Sequence, residues 1–94
     1  MTQQIISKKI IIRGIVQGIG YRWFVEGIAK EEGICGYVKN NPDGSVEVVA
    51  EAKDNTSFER FLNRIKTEHK YAIIKEIDIT DCVPYYYKNF KILF

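Results

Sequence analysis

Three observations predict an α+β fold for this chain. Stretches rich in Ile and Val, several of them alternating with charged residues, read as strands. Other stretches repeat apolar residues at i, i+3, i+4 and i+7, which is helical spacing. The two kinds follow one another as strand, helix, strand, strand, helix, strand, with room for one more strand afterwards.

Residues 4–13 form the first strand, and the continuous Ile10-Ile11-Ile12 suits a central position in a sheet. The next seven residues, Gly14-Ile15-Val16-Gln17-Gly18-Ile19-Gly20, include three glycines. Glycine is costly inside a regular element, so this is a loop with unusual backbone demands. Residues 21–32 place Tyr21, Phe24, Val25, Ile28 and Ala29 on one helical stripe, and Gly33 is a fitting stop.

Residues 34–40 and 45–52 are strands, the second alternating Val46, Val48 and Ala50 against an outward Glu47 and Glu51. Asn41-Pro42-Asp43-Gly44 between them has a turn composition, which makes the pair a hairpin. Thr56-Ser57-Phe58-Glu59 reads as a capping box, opening a second helix with Phe58, Phe61, Leu62 and Ile65 as its apolar face. Residues 73–80 alternate Ile73, Lys75, Ile77 and Ile79 against Ile74, Glu76 and Asp78, a fourth strand. Pro84 breaks the chain, and residues 86–94 can add a short fifth strand.

This order predicts a ferredoxin-like, split β-α-β sandwich: an antiparallel sheet of four to five strands with two helices on one face. At 94 residues, a single domain over residues 1–94 is expected. Such an architecture hosts enzymes, RNA binders and regulatory modules alike, so function has to be argued from a site.

The bulk numbers narrow the classes. A hydrophobic fraction of 46% is ample for one core, and a net charge of +2 gives only a weak push toward nucleic acid. Lys8-Lys9 with Arg13, and Lys88 with Lys91, read as solvated strand faces. No nucleic-acid partner is expected. Cys35 and Cys82 form no CxxC and read as small core or half-buried residues in a reducing compartment. The apolar stretch before Lys8 is too short for a signal peptide, and no run approaches the roughly 20 residues that span a bilayer. The expectation is a cytoplasmic protein with no membrane partner.

The glycine loop joins a central strand to a helix, where successive amides can turn inward and the helix start favours an anion. Arg22 lies in the first turn of that helix, where the helix dipole disfavours a cation. A bound anion would explain it; a tight structural turn is the alternative. The Walker loop needs Lys and then Ser or Thr after its last glycine, and the residues here are Tyr21 and Arg22. Asn40 ends a strand, where Asn is depleted, and an amide can hold a water at a fixed angle without adding charge. Asn40 as the mere start of a turn is equally open on spacing alone.

The stretch from Gly14 through Arg22, followed by Gly36-Tyr37-Val38-Lys39-Asn40-Asn41-Pro42-Asp43-Gly44-Ser45-Val46-Glu47, resembles the paired signature of the acylphosphatase family. The resemblance extends over nearly the whole chain, with Ile19 and Tyr21 standing where Val and Phe are common. It implies metal-independent hydrolysis of acyl phosphates, with Arg22 and Asn40 as catalytic residues and no cofactor. Arg22 would hold the phosphoryl oxygens together with the amides of Ile15, Val16, Gln17, Gly18 and Ile19, and Asn40 would place the attacking water. The implied partners are a small-molecule acyl phosphate and inorganic phosphate as product and inhibitor; a monomer is expected.

The remaining candidates are weaker. His69, the single histidine, reads as an exposed linker residue remote from both motifs, and nothing resembles a metal cluster. Tyr85-Tyr86-Tyr87 reads as sheet packing rather than a base-stacking platform. Two rivals stay open. One is a phosphate-sensing or regulatory module, including such a domain of a larger carbamoyl-transfer protein, against which the early end of the chain is weighed. The other is an RNA-binding sheet, for which the central strands lack the aromatics.

Overall fold

The structure, a computed structural model, describes residues 4–94. Residues 1–3, part of the expected domain span and of the N-terminal stretch weighed as a signal peptide, lie outside the described residues. The elements are β1 (Ile6–Ile15), α1 (Tyr21–Glu32), β2 (Cys35–Asn40), β3 (Val46–Ala52), α2 (Asn55–Thr67), β4 (Ile73–Asp81) and β5 (Phe90–Leu93). The strands form one sheet in the order β4-β1-β3-β2-β5, and both helices cover one face, as the ferredoxin-like reading requires.

Between sheet and helices lies a core whose members alternate along the strands. Ile10 and Ile12 from β1, Val46, Val48 and Ala50 from β3, and Val38 from β2 meet Val25, Ile28, Ala29, Phe61 and Ile65 from the helices. Each fully buried aliphatic side chain of this kind adds about 1.5–3 kcal/mol to stability. Glu32 at the end of α1 receives Arg60 at 2.9 Å and Arg64 at 3.1 Å, tying the helices at their outer edge. Among the described residues no helix is long and apolar enough to cross a membrane.

Four local features differ from expectation. The antiparallel sheet holds for β1 to β4, but β5 runs parallel to β2, so the sheet is mixed. The cause is the path after β4. The Cys82 amide bonds the Ser7 carbonyl on β1, the Tyr85, Tyr86 and Tyr87 amides bond the Glu51 carboxylate on β3, and the Gly36 amide on β2 bonds Asn89. The chain therefore passes along one end of the sheet, reaches the far edge beside the start of β2, and can only continue in the same direction.

The alternation read along β4 is also interrupted. The register shifts between Arg13 and Gly14, so Arg13 faces Glu76 while Gly14 faces Ile74, and Lys75 is the extra residue of a bulge. The bulge turns both Ile74 and Ile77 toward the core, although they sit three positions apart. Gly14 makes this possible: at its φ of 139°, a Cβ would lie 2.0 Å from the Ile73 carbonyl oxygen.

The second helix is capped by Asp54, whose carboxylate accepts the Ser57 amide at 2.8 Å, and begins at Asn55 rather than at the box around Thr56. Glu47, read as outward, is only 8% exposed. It lies on the face away from the helices but accepts the Tyr37 hydroxyl at 2.6 Å, with Lys9 and Lys39 near it.

Candidate active site

Residues 16–20 leave the end of β1 and enter α1 through Gly20, which has φ 76° and ψ 18°. This left-handed entry is cheap only for glycine, and Gly20 offers no side-chain cap to the helix. Nor does the first turn of α1 contain an acidic residue. The free amides at the helix start therefore keep their positive field, and Arg22 adds a full charge to it.

The loop is tied down on two sides. The Gln17 side-chain amide donates to the carbonyls of Asn41 and Ser45, each at 2.9 Å, which joins the loop to the β2–β3 hairpin. That hairpin is braced in turn by Asp43, which accepts the Ser45 amide at 2.9 Å and its hydroxyl at 2.6 Å. The Ser45 hydroxyl, the Ser45 amide and then Arg13 hold the Asp43 carboxyl below the ordinary Asp range. On the other side, the His69 ring lies 3.2 Å from the Ile19 carbonyl oxygen. His69 is half-buried among Tyr21, Phe24 and Tyr71, not the exposed linker residue expected.

Arg22 is half-buried, and its Nη1 donates to the Leu93 carbonyl at 3.1 Å while its guanidinium sits 4.9 Å from the Phe94 ring centre. The last strand thus fixes the arginine head on one side. Asn40 closes β2 opposite Val46. Its Oδ1 is buried without a hydrogen-bond partner, and it is the one such side-chain atom among the described residues. Buried polar atoms almost always have partners, so this oxygen is free to accept a hydrogen bond from a bound water or ligand.

These groups meet in one cavity of about 130 Å³, lined by Val16, Gln17, Gly18, Gly20, Tyr21, Arg22, Trp23 and Asn40. That is well below the roughly 300–1,000 Å³ of pockets for drug-sized ligands, and it suits a small anion. Of the residues named from sequence, Arg22, Asn40, Val16, Gln17 and Gly18 line it. Ile15 and Ile19 are not among its lining residues; Ile15 is still paired with Ile73 at the end of β1. Gly20, Tyr21 and Trp23 also line the cavity. Gly20 belongs to the loop singled out from sequence but was not named as a site residue, nor were Tyr21 and Trp23. His69 and Leu93, which brace the site, were set aside or unnoticed. Trp23 could have been noticed as an aromatic beside Arg22, but the other contacts join residues 50 and 71 positions apart and leave no local signal. Among the described residues no group of three or more His, Cys, Asp or Glu side chains is placed to hold a metal ion.

A family model described as Acylphosphatase matches residues 8–92. The chain is 39% identical to an acylphosphatase of Thermotoga maritima over 84 residues, which is 89% of this chain and 92% of that one. Among solved structures, the acylphosphatase of Bacillus subtilis superposes with a TM-score of 0.89 at 29% identity, over 97% of this chain and all of its own. A full-length HypF, in its phosphate- and nucleotide-bound form, also superposes at 0.89 with 34% identity, over 99% of this chain but 12% of HypF.

Proposed function

Because this chain belongs to the acylphosphatase family and is an acyl phosphate hydrolase, we propose that Arg22 and the loop amides grip the phosphoryl group while Asn40 places the attacking water. The observation that carries this reading is the orphaned, buried Oδ1 of Asn40 in the same small cavity as Arg22. An amide oxygen accepts a hydrogen bond from the water and aims its lone pair at phosphorus.

The groups lining the cavity support the following course for the reaction. The water oxygen forms a bond to phosphorus as the bond from phosphorus to the acyl oxygen breaks, in line. The bonding pair leaves with the carboxylate, whose conjugate acid has a pKa of about 4 to 5 by analogy with side-chain carboxyls, so no general acid is needed. One water proton passes to the phosphate, giving inorganic phosphate. Phosphoryl transfer of this kind is loose, and catalysis is positioning plus electrostatic stabilisation. Arg22, the free amides at the start of α1 and Gly18 supply that field. No cofactor or metal enters this scheme, and inorganic phosphate, as product, competes for the same cradle.

The test is hydrolysis of an aromatic acyl phosphate with EDTA present. Arg22→Ala should lose both phosphate inhibition and turnover, with kcat/KM down by roughly 10²–10³, the scale of removing one charge-stabilising donor. Asn40→Ala should lose kcat on a similar scale while phosphate still inhibits. Parental turnover by Asn40→Ala would overturn its role.

A further inference from the structure

His69 belongs to neither sequence motif, yet its ring touches the loop that shapes the cavity. Its Nδ1 accepts the Tyr71 and Ala72 amides, each at 3.1 Å, and its Nε2 lies 3.2 Å from the Ile19 carbonyl oxygen. Backbone amides can only donate, so Nδ1 carries no proton. A carbonyl can only accept, so Nε2 must carry one. Both contacts demand the same neutral tautomer. The ring plane is held edge-on by Phe24 at 5.0 Å and by Tyr21 at 5.6 Å between centroids.

We propose that His69 is a positioning residue, which turns the Ile19–Gly20 peptide so that the Gly20 amide faces the bound phosphoryl group. In a trans peptide the C=O and the following N–H point in opposite directions, and there is no cis bond among the described residues. His69 draws the Ile19 carbonyl toward the start of β4, so the Gly20 N–H is aimed away from it. Gly20 lines the cavity, and as the residue before α1 its amide has no partner within the helix. Gln17 holds the same loop from the hairpin side, so without His69 the loop is anchored at one side-chain tie rather than two.

This inference rests on the phosphate cradle proposed above, and its test separates the two. A Gln side chain carries its amide nitrogen near the place of Nε2, whereas an Asn side chain carries its oxygen near the place of Nδ1. His69→Asn keeps an acceptor for Tyr71 and Ala72 but cannot reach Ile19; His69→Gln can still donate to Ile19. With parent and both variants assayed below their unfolding midpoints, His69→Asn should raise the phosphate inhibition constant and KM about fivefold, the size of one neutral hydrogen bond. Its kcat should stay within about twofold, since ground-state and transition-state binding weaken together. His69→Gln should stay within about twofold of the parent in all three. Parental phosphate affinity in His69→Asn, or equal weakening in both variants, overturns the role. Failure of phosphate to inhibit the parent would instead overturn the cradle itself.

Discussion

Asn40 is the residue whose chemistry depends most on what surrounds it. On spacing alone it is as easily the first residue of a turn, and its orphaned oxygen, in the cavity that Arg22 also lines, supports the proposed role in placing water. Asn40→Asp keeps the size but adds a negative charge facing the phosphoryl oxygens, so it should impair phosphate inhibition as well as kcat, unlike Asn40→Ala. Tyr21 is the opposite case. Its hydroxyl, where the family commonly has Phe, does not serve the cavity; it donates to the Ile65 carbonyl at 2.8 Å. Ile65 lies in the last turn of α2, where carbonyls run short of intrahelical donors. Burial pushes the Tyr21 phenol far above its ordinary range, so it remains a donor at any working pH. Tyr21→Phe should lower stability by about 1 kcal/mol, read as a fall in the unfolding midpoint, with kcat unchanged.

Among the elements, α1 was legible to the residue, because its stripe, the glycine before it and Gly33 after it are all local signals. The hairpin was legible for the same reason. What the sequence could not show was set by partners distant along the chain. The β4 bulge depends on Gly14, some 60 residues earlier, and is invisible in an alternation read strand by strand. Gly14→Ala should cost at least about 2 kcal/mol, since the new methyl must displace the β4 backbone or force a strained φ. The cap of α2 was misplaced by two residues because Thr56 and Asp54 offer similar signals, and only the Asp54 carboxylate reaches an amide. That amide, from Ser57, lowers the Asp54 pKa. A depressed carboxyl contributes stability that is complete above its unfolded value of about 3.9 and is lost as pH falls through the folded one. Asp54→Asn, an equally good cap, should match the parent at neutral pH and lose less stability in unfolding measured on acidification.

At the scale of the molecule, one buried carboxylate is among the ties that lead the chain into the parallel β5. Glu51 is 5% exposed and accepts the Tyr85, Tyr86 and Tyr87 amides at 2.6, 3.1 and 2.7 Å, at the point where Tyr86 takes a φ of 63°. Read from sequence as an outward residue alternating along β3, Glu51 is a clasp for the chain's passage across the sheet. Glu51→Gln presents an amide nitrogen to amide donors and should cost about 2 kcal/mol in chemical unfolding, the range of hydrogen bonds to a charged group. Because β5 in turn carries the Leu93 carbonyl that holds Arg22, the same variant should raise KM although Glu51 does not line the cavity. The distance along the chain between Arg22 and Leu93, 71 residues, also bears on how the enzyme returns from denaturant. Contacts between remote positions close late, since the intervening polymer must first be gathered. A refolding chain should therefore recover its circular dichroism before its turnover, the delay ending when the final strand zips beside β2.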